Sequence, residues 1–470
     1  MKIFDVAVFG GGVVGSCIFN KLIRCGKSAI LLEKYDIASG ESKANSGIVH
    51  AGFDAKPGTL KAKFNVEGNK LYEQMCMRLG VPFKKCGAYV LGNNLEAITE
   101  LYNRGLTNGL NKTNLKILNH NQLTKKIANL NTNIQYGLFA KNSAIVNPYL
   151  FTICLAEEAV LNGGKYELFF ETTKINRLND CFEIIGNNKK YYAKNIVNAC
   201  GFGYNEIAKL VGAEEYEIEF RRGEYYVLDH SEYNVTGSTL FPLPTKDSKG
   251  VLITPTADGN ILVGPNSIIS ENITKTTKEG LLDIKEKSSH LINNVNIKKA
   301  IRVFSGIRTV VGNDFIVEKS KINNVINIAG ICSPGLSSAP AIALEVLQLL
   351  NIKNKEKTCK LLPPYVLSKD LSKKEFNKLV KNDHRYGNII CKCEQITEGD
   401  IVFALKRPIK VFTVDGIKRR VRAGMGRCQG GFCMDKVAKI IARENKIDES
   451  LVLKEYPNSY ILHLNIKGDN

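Results

Sequence analysis

A chain of 470 residues is long enough for two or three domains with cores of their own. Hydrophobic residues make up 44% and charged residues 24%, which excludes a disordered chain and a fibrous one. Lys and Arg number 65 against 46 Asp and Glu, a formal charge of +19 that suits anionic substrates, an anionic membrane surface or nucleic acid.

The basic residues are spread along the chain, with one short cluster at Lys418, Arg419, Arg420 and Arg422 and no nucleic-acid motif beside it. A lysine-rich solvated surface therefore accounts for most of the excess, and no specific nucleic-acid partner is expected. No stretch reaches 18 uninterrupted apolar residues, so no transmembrane helix is expected. The apolar run 6–19 holds four glycines and no small-residue cleavage site, unlike a signal peptide. The expectation is a cytoplasmic protein, at most peripheral on a membrane through a partner. Thirteen cysteines in such a chain point to thiols or a metal site rather than to disulfides.

In chain order, Val6, Ala7, Val8 and Phe9 form a short apolar run bounded by glycine, which predicts a buried parallel strand. Gly10, Gly12 and Gly15 follow in the spacing G-x-G-x-x-G, and a helix continues from Val13 and Val14 to Ile23. The first glycine permits the tight turn. The second lets the backbone approach a pyrophosphate, and the third lets helix and strand pack closely. A second strand, 28–32, ends at Glu33, where a carboxylate can accept ribose hydroxyls. Strand, helix, strand and acid in register predict a dinucleotide site.

Residues 39–53 are rich in Gly, Ser and Asn and predict a loop, with His50 inside it. Helices are expected at 59–79, 94–105 and 147–162, and a strand at 82–91; 108–133 is poorly patterned. Short strands are expected at 165–170, 181–185 and 191–199, the last ending in a glycine turn and a helix to Val211. Segments 217–229 and 251–264 alternate like strands over a ligand, with Lys249 in the turn before the latter. A last apolar strand, 324–329, leads through the glycine turn 330–340 into an apolar helix, 341–350. The Lys-rich stretch 354–383, with Pro363 and Pro364, reads as a linker.

Beyond it stand Cys391 and Cys393, spaced C-x-C, and Cys428 and Cys433, spaced C-x-x-x-x-C. Four thiolates in one small unit point to a 2Fe-2S cluster. Structural zinc and plain core cysteines are the alternatives; zinc ligands more often pair as C-x₂₋₄-C. Gly430 and Gly431 let the backbone fold tightly enough for amides to face the sulfurs. Arg419, Arg420, Arg422 and Arg427 are expected to offset the cluster's charge. The other nine cysteines read as small buried hydrophobes.

The runs ANSGIVHAGFDAKPGTLKAKFNVEGNKL, RRGEYY, SKGVLITPTADGNILVGP, SGIRTVVGNDF and SPGLSSAPAIA resemble FAD-dependent glycerol-3-phosphate dehydrogenases and oxidases of the D-amino-acid-oxidase superfamily. The resemblance covers about residues 1–350. The tail IICKCEQITEGDI…RAGMGRCQGGFC is similar to the bacterioferritin-associated-ferredoxin-like 2Fe-2S domain that ends the catalytic subunit of anaerobic glycerol-3-phosphate dehydrogenase. The fold implied is α/β: a discontinuous Rossmann-like FAD domain, a mixed antiparallel β-sheet substrate domain and a small α-rich 2Fe-2S domain. The boundaries implied are 1–355 for the flavin-dependent region, with substrate segments at about 81–145 and 217–301. A linker at 356–383, a cluster domain at 384–445 and a tail at 446–470 complete the chain.

The resemblance also implies roles for residues. FAD contacts are expected at Gly10, Gly12, Val13, Val14 and Gly15, and at Glu33 and Lys34. Further contacts are expected at Glu41, Ser42, Ser46, Gly47 and Ile48 in the loop, at Lys174 and Gly201, and at Ile331 and Cys332. FAD would take a hydride from C2 of sn-glycerol 3-phosphate, giving dihydroxyacetone phosphate, with His50 as the base for the C2 hydroxyl proton. Arg308 and Lys249 match phosphate-binding positions, and Ser46 and Ser333 match polar substrate contacts. Arg221 and Arg222 are second choices near the substrate face. Related oxidases can carry Lys before S-P-G-L where this chain has Cys332, a departure that counts against oxygen as acceptor. Electrons are therefore expected to pass from flavin to cluster to a partner subunit. The nearest competing reading is an L-2-hydroxyglutarate or other 2-hydroxy-acid dehydrogenase with the same flavin and His50. An electron-transfer component with a vestigial flavin site is a further alternative.

Overall fold

The strand Ile3–Phe9 lies at the centre of an eight-stranded sheet, and its apolar run 6–9 is buried on both faces, as an unbroken apolar run requires. It runs parallel to Ala29–Leu32 on one side and to Lys189–Asn198 on the other. Lys165–Glu167 extends the parallel order beyond Ala29–Leu32, and Val325–Ala329 pairs in parallel with Lys189–Asn198. Three separated parts of the sequence thus build one doubly wound layer. The computed structural model describes residues 2–244, 250–270, 274–293 and 295–462.

A nine-stranded, mostly antiparallel sheet forms the second layer, in the order Ile268–Ile269, Glu219–Leu228, Ile261–Val263, Ile253–Pro255, Thr239–Pro242, Ala88–Gly92, Tyr136–Ala140 and Leu115–Asn119. Its longest strand, Ala300–Val310, pairs with Glu219–Leu228. Its parallel contact joins Thr239–Pro242 to Ala88–Gly92. The fold is therefore the expected discontinuous α/β layer with a mixed antiparallel sheet. The single strand expected over 82–91 is two, because Gly87 turns the chain with φ +68 between Phe83–Lys84 and Ala88–Gly92. The poorly patterned stretch 108–133 contains a strand, Leu115–Asn119, and a short helix, His120–Thr124.

The apolar helix after the last parallel strand begins earlier than its sequence suggests, spanning Gly335–Leu349 with Pro340 inside it. Proline has no N–H to offer the carbonyl four residues back. That carbonyl belongs to Leu336, and the Tyr72 hydroxyl from the helix Leu60–Leu79 donates to it. The tertiary donor makes the interior proline tolerable.

The stretch that reads as a linker lies along the parallel-sheet layer. Glu356 accepts from Arg24 and Lys21, the Lys357 N–H donates to the Arg24 carbonyl, and Asn162 is bonded to both the N–H and the C=O of Lys360. Pro364 packs where a Cβ on Gly80 would sit. A capping box, Ser372 with Glu375, starts the helix Lys373–Asn382.

The C-terminal unit has a small hairpin, Ile389–Cys391 with Ile396–Thr397, and three helices, Glu398–Leu405, Val414–Val421 and Met434–Asn445, around its own apolar core. It is fastened to the other layers by buried ion pairs. Glu157, fully buried on the helix Pro148–Leu161, accepts from Arg407 at 2.7 Å and Arg420 at 3.4 Å. Buried Asp36 accepts from Arg419 at 2.8 Å and from the Thr413 hydroxyl at 3.0 Å. Arg422 bridges Asp258 at 3.1 Å and Glu394 at 2.8 Å. The tail returns to the loop that follows the second parallel strand, where the Tyr456 hydroxyl donates to the Ser39 carbonyl at 3.1 Å. Among the described residues no helix is long and apolar enough to cross a membrane.

Candidate active site and cluster site

A cavity of about 1030 Å³ lies between the two layers, large enough for a dinucleotide. Its wall on the parallel side is the first turn and helix. Gly10 adopts φ +99, and a Cβ there would strike the Ala199 carbonyl. A Cβ on Gly15 would run into the Gly10 carbonyl, so this glycine serves packing while Gly10, Gly12, Val13 and Val14 face the cavity. The helix start carries no acidic residue in its first turn, and the Ser42 hydroxyl accepts from the Val13 N–H at 2.8 Å. A helix N-terminus free of acid favours an anion there. Glu33 lines the cavity and is fixed by the N–H groups of Gly11 and Tyr35. Burial pushes its carboxyl above the usual range against those two bonds.

The loop after Ser39 supplies the opposite edge. Glu41, Ser42, Ser46, Ile48 and His50 all line the cavity. Glu41 accepts from the Thr309 hydroxyl at 3.1 Å, and burial pushes its carboxyl up to about 7. Gly201, with φ +55, brings its backbone beside the Glu41 carboxylate. His50 is buried and held at both backbone ends: its N–H donates to Ser337 Oγ at 2.7 Å, and its carbonyl accepts from Asn69 at 2.9 Å. Its ring centroid lies 5.5 Å from that of Phe241.

Arg308 also faces the cavity, anchored by a 2.7 Å bond from Nη2 to the Asn266 carbonyl. Gly223 makes room for it, since a Cβ there would come within 2.6 Å of the guanidinium. Arg221, directly opposite Arg308 in the strand register, lines the same cavity. Ile331, Cys332 and Ser333 close the end beneath the Gly335 helix, and Lys34 sits at the rim, paired with Glu171 and Glu206.

Two expected contacts fall elsewhere. Lys174 is exposed on the sheet edge; a register shift between Thr172 and Lys174 leaves Thr172 as the residue of that strand that faces the cavity. Gly47 does not line the cavity; with φ +67 it lets the loop pass the Val146 carbonyl. Lys249 lies outside the described residues. Two polar residues not singled out from sequence belong to the site. Tyr225 meets Ser46 at 3.2 Å between hydroxyls, and Thr309 holds Glu41. Tyr225 is on the same strand face as Arg221, four residues on, so the period-two pattern carries that signal.

At the C-terminal unit Cys391 and Cys433 are buried, Cys428 half-buried and Cys393 exposed. The sulfurs come in two pairs: Cys393 with Cys428 at 3.6 Å, and Cys391 with Cys433. The Cys433 thiol favours the Cys391 thiolate, with the N–H groups of Gly424 and Glu394 adding to it. The Cys428 amide donates to Cys393, and the Gly430 and Phe432 amides donate to Cys428. Among the described residues no group of three His, Cys, Asp or Glu is placed to hold a single metal ion. Two thiolate pairs under a canopy of amides fit a two-iron cluster better than one tetrahedral zinc. The arginines expected to offset the cluster's charge face carboxylates instead: Arg419 meets Asp36, Arg420 meets Glu157, Arg422 meets Glu394 and Asp258, and Arg427 meets Asp229. Arg419, Arg420 and Arg422 are buried, and a buried guanidinium needs an anion at hydrogen-bond distance, which these carboxylates provide; Arg427 is exposed.

Residues 5–349 match the family model described as FAD dependent oxidoreductase. The chain belongs to that family. Residues 389–443 of this oxidoreductase match a second model, the BFD-like [2Fe-2S] binding domain. The oxidoreductase is 42% identical to a glycerol 3-phosphate dehydrogenase of Caloramator mitchellensis, over 98% of each chain. It resembles the FAD-bound, dithionite-reduced L-alpha-glycerophosphate oxidase of Mycoplasma pneumoniae with a TM-score of 0.73 and 31% identity, over 77% of this chain and 100% of that one. Similarity to the L-2-hydroxyglutarate dehydrogenase of Escherichia coli is lower, at 27% identity over 57% of this chain and 64% of that one. The cavity fits FAD on its own terms: an acid-free helix start suits the pyrophosphate and a fixed Glu33 suits the ribose.

Proposed function

We propose that this oxidoreductase oxidises sn-glycerol 3-phosphate to dihydroxyacetone phosphate and passes the electrons through its 2Fe-2S domain to a separate acceptor. The observation that carries the substrate is the cross-strand pair Arg221 and Arg308, two guanidinium groups on one face of one cavity with His50. Like charges directly opposite in a sheet are unfavourable, and a phosphate dianion between them relieves the repulsion. Full-length similarity to a glycerol 3-phosphate dehydrogenase supports the same substrate over a 2-hydroxy acid.

In this reading Arg308 and Arg221 hold the phosphate, with Lys249 as a third cation. Ser46, tied to Tyr225, and Ser333 orient the hydroxyls. Burial keeps the Tyr225 phenol protonated, so it remains a donor. His50 accepts the C2 hydroxyl proton as the C2 hydrogen departs. FAD, held by Gly10, Gly12, Val13, Val14, Glu33, Glu41 and Gly201, supplies the hydride acceptor. The 2Fe-2S cluster, held by Cys391, Cys393, Cys428 and Cys433, supplies one-electron transfer. Its exposed edge, with Cys393 at the surface and Phe432 81% exposed beside Cys433, is where an electron-accepting partner would dock, at a membrane surface or in solution.

The test is product formation with an artificial one-electron acceptor under anaerobic conditions. The reading expects dihydroxyacetone phosphate from sn-glycerol 3-phosphate and no turnover of L-2-hydroxyglutarate. The reverse preference would keep the chemistry and overturn the substrate.

A further inference from the structure

The strands Glu219–Leu228 and Ala300–Val310 are antiparallel neighbours along their length, and one face of this ribbon carries a defined series of pairs. Arg221 stands opposite Arg308, Gly223 opposite Gly306, Tyr225 opposite Phe304, and Val227 opposite Arg302. The first end is in the cavity, where Arg221, Tyr225, Gly306 and Arg308 form part of the wall. The glycine pair leaves room there for the Arg308 guanidinium, Pro265 and Ala44 to lie against the ribbon. Next along, the Tyr225 and Phe304 rings stack with centroids 4.6 Å apart and planes 7° apart.

The other end reaches the sulfur loop of the cluster domain. Asp229, the residue after the first strand, accepts from Arg427 Nε at 2.7 Å and Nη2 at 2.9 Å. Arg302 Nη1 donates to Gln429 Oε1 at 3.2 Å. Arg427 and Gln429 are the two neighbours of Cys428 in sequence. The loop is thus clamped on both sides of one ligand cysteine, by the residue that follows the first strand and by one residue of the second. Tyr225 to Asp229 and Gly306 to Arg302 are each four residues, on the order of 13 Å of strand.

We propose that this ribbon is the built-in bridge between the flavin cavity and the cluster, with Arg427 and Arg302 as positioning residues that hold Cys428 at its far end and the Tyr225–Phe304 stack filling the interval. The proposal rests on the reading that electrons leave through the cluster. With both groups bound, each transfer would oxidise the reduced flavin by one electron and reduce one ferric ion of the cluster to ferrous, and the flavin's one proton would leave to solvent over the two transfers that restore FAD. The cluster must deliver the first electron to a one-electron acceptor before it takes the second. Cys428 and Cys393 form the pair closer to the surface, so the ribbon delivers the electron beside the edge open to a partner.

Flash photoreduction of the bound flavin with EDTA as donor tests this on the full holoprotein without any substrate. Flavin and cluster absorbance are followed separately, and a dithionite-reduced EPR spectrum confirms that the cluster is in place. The double variant Arg302→Gln/Arg427→Gln is expected to slow cluster reduction tenfold or more while flavin reduction is unchanged. Arg427→Lys should recover part of the rate, because the charge remains and the bidentate fork is lost. Phe304→Leu, which lies in the strand and not in the sulfur loops, should slow the same step severalfold and decides the matter if the double variant loses its cluster. Equal cluster-reduction rates in wild type and in these variants would overturn the bridge. A wild-type cluster that is never reduced from the flavin would instead overturn the electron-exit reading beneath it.

Discussion

Arg221 and Arg308 face each other across two hydrogen-bonded strands, and both line the cavity that holds His50. Two guanidinium groups in that relation make an anion site with geometry as well as charge. Arg308→Gln is expected to raise KM for sn-glycerol 3-phosphate by tenfold or more, the scale of a lost charge-assisted hydrogen bond. Arg221→Gln should raise KM by a smaller factor, because Arg221 also pairs with Glu219. Steady-state kinetics of both variants check this, and an unchanged KM in Arg308→Gln would remove it from the phosphate site.

His50 is held by its own backbone bonds to Ser337 and Asn69, so replacing its ring leaves the loop anchored. His50→Asn should lower kcat/KM by about 10² to 10⁴, the contribution of a positioned base. FAD content should stay as in wild type, and dithionite should still bleach the flavin.

Glu41 titrates within reach of ordinary buffers. Burial pushes its carboxyl up to about 7, from an ordinary value of 4.5. A raised carboxyl pKa means that the folded protein holds the proton more tightly than the unfolded chain. The stabilisation is fully present below pH 4.5 and is lost as pH rises through about 7. The loss attributable to this one group is on the order of 3 kcal/mol. An anionic dinucleotide in the same cavity adds to the cost of the ionised form. FAD dissociation measured by fluorescence should therefore rise between pH 6 and 8.5 in wild type and stay flat in Glu41→Gln. A flat wild-type profile would show that Glu41 does not titrate there.

Glu157 joins the cluster domain to the flavin side, with two buried arginines and the Tyr365 hydroxyl around it. Glu157→Ala leaves both guanidinium groups buried without their anion, at a cost of about 3–5 kcal/mol. The expected result is a Tm lower by several degrees, with the cluster's visible absorbance lost before the flavin is released. An unchanged Tm would mean that the two units are held together by other contacts.

Much of this was legible from residues close in sequence. The turn at Gly10–Gly15, Glu33 and the four cysteines each declare themselves within a short window because their chemistry is local. What was not legible depends on distant partners. The Gly335 helix starts before Pro340 because Tyr72, more than 250 residues away, satisfies the Leu336 carbonyl. The Lys-rich stretch after Asn354 reads as a linker because its anchors, Arg24, Gly80 and Asn162, lie far upstream. Arg419, Arg420, Arg422 and Arg427 stand beside cysteines in sequence, and their closeness suggested one role. Their carboxylates, spread from Asp36 to Glu394, give them another. At Lys174 a register shift in the strand put the neighbouring Thr172 at the cavity, a change that residue types do not announce.

The most direct measurement is an anaerobic ultraviolet–visible spectrum of the purified protein before and after sn-glycerol 3-phosphate, paired with metal analysis. The expected result is flavin bands together with iron–sulfur absorption, two irons and no zinc per chain, and bleaching of the flavin followed by reduction of the cluster. Flavin that stays oxidised with this substrate, or a protein that carries zinc in place of iron, would contradict it.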